Sequence, residues 1–182
     1  MANLDVKQLI TVLNKSWPHR PSKKVSRYIN KFFDCQKLDT KISGKVNGNH
    51  GTYTVTIQLK GRILSSACSC YIGKHGSCHH CEALAKTFTL RPNRFQELEK
   101  RKLEEITTLD DLKIYLQSET LDNLLTRLKS RGITQKAFAE SIGMNTRHLS
   151  SIKSSELRNR FYNELGATKL AVIWALEYFT DD

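Results

Sequence analysis

Residues 52–81 read TYTVTIQLKGRILSSACSCYIGKHGSCHHC, and this stretch decides the fold of the first half of the chain. Residues 52–59 alternate and are rich in β-branched side chains. Tyr53, Val55, Ile57 and Leu59 share one face, while Thr52, Thr54, Thr56 and Gln58 take the other. This predicts a half-buried strand. Lys60-Gly61 turns the chain, and residues 62–67 return as the next strand. Upstream, residues 41–47 read as another strand, joined through the turn residues Asn47-Gly48-Asn49-His50-Gly51. A three-stranded antiparallel meander therefore delivers the chain to Cys68. After Cys78 the period becomes helical, HHCEALAKTF, with Leu84 and Phe88 four residues apart.

There are five cysteines: Cys35, Cys68, Cys70, Cys78 and Cys81, four of them within fourteen residues. An odd, tightly clustered set argues against a disulfide framework and for a metal. The pattern is Cys68-x-Cys70-x7-Cys78-x-His80. Zn2+ prefers thiolate and imidazole in a tetrahedron, and four such ligands close a structural site. Residues i and i+2 of a strand end point the same way, so a turn can converge Cys68 and Cys70. Gly73 and Gly76 permit tight bends in the loop that follows. Cys78 opens a helix, whose free N–H groups favour a thiolate. His75, His79 and Cys81 are also near. An all-thiolate set with Cys81 replacing His80 is chemically sound, because 78 and 81 lie one helical turn apart. The plainer alternative is a group of metal-free cysteines packed as small hydrophobes.

With these residues in view, the region 41–90 resembles a SWIM-type zinc finger. That pattern is C-x-C, a variable gap and C-x-H, after a β-meander and before a short helix. The resemblance covers about a quarter of the chain. It implies Zn2+ held by Cys68, Cys70, Cys78 and His80, and a role in DNA binding or protein interaction.

Toward the N-terminus, residues 4–14 suit a short helix with Leu9, Ile10 and Leu13 on one face. Trp17-Pro18-His19-Arg20-Pro21 breaks it. Pro21 suits the first position of a second helix running to about Phe33. Val25, Tyr28, Ile29, Phe32 and Phe33 form its apolar face. Lys23, Lys24, Arg27 and Lys31 fall largely between them as a basic outer face. The charge is lopsided. Residues 1–95 hold 16 basic and 4 acidic side chains, a balance of +12; residues 96–182 hold 13 and 14, a balance of −1. A folded polycation attracts phosphate backbones, anionic membranes or acidic proteins, and nucleic acid is the commonest such partner in the cytoplasm. The bland alternative for the basic face is ordinary solvated surface.

Downstream, residues 92–107, PNRFQELEKRKLEEIT, are highly charged and read as a linker helix starting after Pro92. Thr108 and Asp111 suit a capping box for a helix containing Leu112, Ile114, Tyr115 and Leu116. From about Glu119 a helical domain begins, its first helix bearing Leu121, Leu124, Leu125 and Leu128. Residues 133–153 read ITQKAFAESIGMNTRHLSSIK. Thr134 caps one helix, with Phe138, Ala139 and Ile142 inward; Gly143 closes it; Met144 packs into the angle; Asn145 caps the next, with Leu149 and Ile152 inward. A last helix over 168–179 carries Leu170, Ile173, Trp174 and Leu176 as expected core. Residues 120–155 resemble the helix-turn-helix of phage-repressor or XRE type. The resemblance implies that Thr146, Arg147 and Ser151 face the major groove. It also puts Gln135, Asn145, Ser150 and Lys153 near phosphates. Arg158, Arg160 and Lys169 are phosphate contacts or plain surface, and His148 is a packing residue. The alternative is a plain helical bundle that packs or dimerises.

The expected fold class is α+β: N-terminal helices and a three-stranded meander with a zinc finger, then an all-α helix-turn-helix domain. The expected domains are a basic 1–91, a charged helical linker 92–118 and a helical 119–182. The leading function is a small zinc-containing DNA-binding protein, a transcriptional regulator or an accessory factor of a mobile-element or defence system. Duplex DNA is the expected partner, with a protein partner or homodimer beside it. The alternative is a protein-interaction adaptor of a larger nucleic-acid-processing complex. No apolar run approaches the roughly 20 residues of a membrane span. The segment MANLDVKQLITVL does not read as a signal peptide, so a cytoplasmic location is expected. No HExxH, carboxylate cluster or Gly-rich phosphate loop is visible, and catalysis is not expected.

Overall fold

The alternation at 52–59 becomes the second strand of a meander, with Val55, Ile57 and Leu59 buried. The structure is a computed structural model describing residues 6–17, 19–73, 77–158 and 162–179. The fold is α+β, and the chain divides into two units. One comprises Met1–Glu99 with Leu157–Asn159; the other comprises Lys100–Glu156 with Arg160–Asp182.

The first unit holds strands β1 (Phe33–Leu38), β2 (Lys41–Gly48), β3 (Gly51–Lys60), β4 (Ile63–Cys68) and β5 (Gln96–Glu97). The expected three-stranded meander is present as β2–β4, but the sheet has five strands in the order β4-β3-β2-β1-β5. All neighbours are antiparallel except β1 and β5. One face is covered by α3 (His79–Leu90), against which α1 (Val6–Ser16) and the short α2 (Lys23–Ser26) pack. Leu9, Leu13, Ile42, Val55, Leu84 and Phe88 meet in the core.

Two expected helices are replaced. The helix from Pro21 to Phe33 stops at Ser26, because tertiary bonds take over from helical ones. The N–H of Asn30 donates to Thr87 Oγ1 at 3.0 Å, and Arg94 donates to the carbonyls of Asn30 at 2.8 Å and Phe32 at 3.1 Å. Asn30 sits at φ 63°, a conformation asparagine tolerates better than most residues. Val25, Tyr28 and Phe32 are buried all the same, while Phe33 is exposed. The expected linker helix over 92–107 is also absent. Its sequence forms a 3-10 turn at Pro92–Arg94, then β5, then a 3-10 turn at Leu103–Glu105. Buried Lys37 of β1 pairs with Glu97, and the N–H of Leu98 donates to the Lys37 carbonyl at 2.8 Å. Phe95 packs edge-on against Phe88, ring centres 4.9 Å apart. A buried cation needs a partner, and this one draws the charged segment onto the sheet edge.

The second unit is all helical: α4 (Leu109–Ser118), α5 (Leu121–Ser130), α6 (Gln135–Ser141), α7 (Thr146–Ser154) and α8 (Tyr162–Tyr178). The Thr108–Asp111 capping box forms at α4, and Thr134 and Asn145 cap α6 and α7. Leu121, Leu124, Leu125, Leu128, Phe138, Leu149, Ile152 and Val172 make the core. In α8 the phase differs from expectation. Ile173 and Leu176 are buried, but Leu170 and Trp174 face outward, and so does Ile142 after α6. Lys169 is buried, paired with Glu156 at 2.6 Å and donating to the Leu116 carbonyl at 2.7 Å. It is neither a phosphate contact nor plain surface. Among the described residues, no helix is long and apolar enough to cross a membrane.

Candidate functional site

Strand β4 ends at Cys68, which pairs in register with Val55. The chain then folds back tightly. The N–H of Cys70 donates to Cys68 Sγ at 3.5 Å, and the N–H of Gly73 donates to Cys70 Sγ at 3.2 Å. A Cβ at Gly73 would lie 2.4 Å from Cys68 Cβ and 2.7 Å from the Cys68 carbonyl oxygen. Only glycine permits this bend. Cys78 is the N-cap of α3, and its carbonyl accepts from the N–H groups of Cys81 at 2.9 Å and Glu82 at 3.2 Å.

Cys68, Cys70, Cys78 and His80 come together, their ligand atoms all within 4.8 Å of one another and all four residues buried. Cys68 Sγ lies 3.7 Å from His80 Nδ1, Cys70 Sγ 3.7 Å from Cys78 Sγ, and Cys78 Sγ 3.8 Å from His80 Nδ1. The Cys70–Cys78 sulfur separation is too long for a disulfide, and the described cysteines are free. A zinc–thiolate bond of about 2.3 Å gives tetrahedral edges of about 3.7–3.8 Å. The donor set and its spacing therefore fit a divalent metal. Cys81 is fully buried, with its Sγ 3.8 Å from Cys78 Sγ, but it is not one of the four mutually close groups. His79 packs against the His80 ring at 4.0 Å. His75 lies outside the described residues. Cys35 is buried in β1 and is not one of the four mutually close groups, and burial pushes its thiol up.

The thiols compete for one negative charge. Hydrogen bonds with the thiols of Cys68 and Cys81 hold Cys78 well below the ordinary thiol range. Cys68 and Cys81 are pushed up, first by those same bonds and then by burial. Burial pushes Cys70 up. A divalent cation removes this competition among Cys68, Cys70 and Cys78, because each of these three can then bind as thiolate and release its proton. His80 Nε2 is buried without a hydrogen-bond partner. The ring is instead held by Tyr28 at 4.6 Å, Tyr53 at 5.1 Å and His79. Ligating histidines usually donate their second N–H to a carboxylate or carbonyl; here aromatic packing sets the orientation. Sequence reading assigned Tyr28 and Tyr53 to apolar faces and gave no sign of this second duty.

Lys23, Lys24, Arg27 and Lys31 are all exposed on the segment that packs on α3 through α2. In the second unit, Arg147, Ser150 and Ser151 are exposed on α7, and Thr146 is half-buried. Ser150 Oγ donates to the Thr146 carbonyl and Ser151 Oγ to the Arg147 carbonyl, both at 3.0 Å. Asn145 Oδ1 accepts from the N–H of Arg147 at 2.8 Å. Gln135 is half-buried at the start of α6. Lys153 is held by Asp122 of α5 at 3.1 Å, a partner that sequence reading missed. His148 is half-buried and reaches Glu164 of α8. Arg160 and the Arg158 side chain lie outside the described residues. Gly143 at φ 69° turns the chain between α6 and α7, and the N–H of Met144 donates to the Ala139 carbonyl at 2.8 Å.

The chain is thus an α+β protein with a buried Cys3His cluster able to chelate a divalent metal and a separate all-helical region. No protein-family model matches it, and neither a curated protein nor a solved structure does.

Proposed function

We propose that the chain is a small zinc-containing DNA-binding protein, a transcriptional regulator or an accessory factor of a mobile-element or defence system. Cys68, Cys70, Cys78 and His80 hold Zn2+. The bound ion supplies a structural crosslink that fastens the end of β4 to the start of α3. Four protein ligands leave no position for a reacting water, so the reading assigns the site no catalysis. The observation that carries the proposal is that Lys23, Lys24, Arg27 and Lys31 are all exposed, on the segment whose α2 packs on the helix bearing His80, in a half whose formal balance is +12. Zn2+ with three thiolates is itself about −1, so the side chains must provide the attraction. In the second unit, exposed Arg147 near the start of α7 is the residue suited to reading a base edge.

Fluorescence titration of the full chain with duplex DNA across a salt series tests this. Affinity should fall steeply on a log–log plot, by about 0.9 per phosphate contacted. Replacing Lys23, Lys24, Arg27 and Lys31 with Ala should flatten the slope. Absence of binding at low salt, or binding independent of salt, removes the proposal. The adaptor reading, a docking subunit of a larger nucleic-acid-processing complex, would then take its place. It is favoured by the near-neutral second half and the apolar residues that α8 presents to solvent.

A further inference from the structure

Helix α8 buries one apolar face and exposes large apolar side chains on the other. Val172, Ile173, Ala175 and Leu176 enter the core of the second unit, whereas Leu170, Trp174 and Tyr178, four residues apart, form an outward stripe. Their exposures are 42%, 56% and 67%, and Phe179 just beyond is 49% exposed. A helix apolar on every side is normally buried on every side.

The rings of the stripe touch one another: Trp174 lies 5.3 Å from Tyr178 and meets Phe179 edge-on at 5.4 Å. The stripe itself forms one wall of a groove of about 1160 Å³, whose other walls include Leu103, Tyr115 and Ile173. Its charged lining carries both signs equally: Arg101, Lys102 and Arg127 against Glu104, Glu119 and Glu177. A polyanion or an anionic lipid surface calls for an excess of cations, which this lining lacks. An interface with its own copy needs each sign on each partner, because in a two-fold contact residue i meets j and j meets i.

The area agrees. An aromatic side chain offers roughly 150–250 Å², so at these exposures the three rings leave on the order of 300 Å² per chain in water. Two copies bring about 600 Å², the apolar share of an interface of roughly 1,000 Å², which is the threshold for specific association.

We propose that the Leu170–Trp174–Tyr178 face of α8, with Phe179 at its end, is a homodimer interface, in which the stripes of two chains pack against each other and the mixed charges beside them pair reciprocally. The inference does not rest on DNA binding and is tested without nucleic acid. Sedimentation equilibrium of the full, zinc-loaded chain from low to high micromolar concentration should show reversible association to twice the mass of one chain. Trp174→Glu and Leu170→Lys should each weaken it by about thirtyfold or more, with helical circular dichroism unchanged and melting unchanged at concentrations where the native chain is a monomer. In a Trp17→Phe background, Trp174 emission should shift to the blue as the dimer forms. A single-chain mass at every concentration, dimerisation undiminished in both variants, or emission that ignores association would each overturn the proposal.

Discussion

His80 and Cys81 are adjacent, and the sequence alone offered either as the fourth ligand. Side-chain direction separates them. His80 Nδ1 points at the Cys68 and Cys78 sulfurs, while Cys81 stays outside the group of four. Cys70→Ser should therefore abolish stoichiometric zinc in native mass spectrometry, and His80→Ala should weaken it strongly. Cys81→Ser should retain one zinc per chain; loss of metal in Cys81→Ser with retention in His80→Ala would reverse the assignment. Zinc should also leave as pH falls, since protons compete for the three thiolates and the imidazole. Gly73→Ala should lower zinc affinity with all four ligands retained, because the added methyl cannot sit 2.4 Å from Cys68 Cβ and must displace it. Competition with a chromophoric chelator reads each of these directly.

At the scale of elements, local signals sufficed wherever the bonds are local. The capping box of α4 is an instance. Thr108 Oγ1 accepts from the N–H of Asp111 at 3.1 Å, and the Asp111 carboxylate accepts from the N–H of Thr108 at 3.2 Å. Thr108→Ala should cost about 1 kcal/mol in chemical denaturation. The Thr108 hydroxyl, foremost, holds the Asp111 carboxyl below its usual value. A depressed folded-state pKa means stability that is complete above the unfolded value, about 3.9, and lost as pH falls through the lower folded one. Asp111→Asn should flatten the loss of stability on acidification below about pH 4; an unchanged acid limb would count against the bond. Helix α7 shows the opposite, because the partner of its Lys153 lies on α5. Because Asp122 neutralises Lys153, Lys153→Ala should weaken DNA binding less than Arg147→Ala does on a selected site, where about 1–3 kcal/mol is expected for a bidentate guanine contact. Asp122→Asn should strengthen binding to random duplexes; no gain would show that Lys153 does not face phosphate.

For the whole molecule, the two hydrophobic clusters share no residue. Cys68, Cys70 and Cys78 belong to the cluster of the first unit, and the second is built on the leucines of α5. Removing zinc with a chelator should lower the thermal stability of the first unit and leave a transition for the second. Calorimetry with and without chelator checks this, and a single transition displaced as one would contradict it. The sequence by itself determined the meander, the helix after Cys78, the caps at Thr108, Thr134 and Asn145 and the metal-ligand cluster. Each of these is written in alternation, in turn residues or in ligand spacing within a few residues. Tertiary structure alone decided the rest. Strand β1 exists because Arg94 and Thr87, some sixty residues away, take the backbone bonds of Asn30 and Phe32. Strand β5 exists because buried Lys37 needs Glu97. The phase of α8 was illegible for a related reason: with apolar residues on every side, its pattern names no single inward face, and packing against α5 turned Val172 and Ile173 inward and left Trp174 in water.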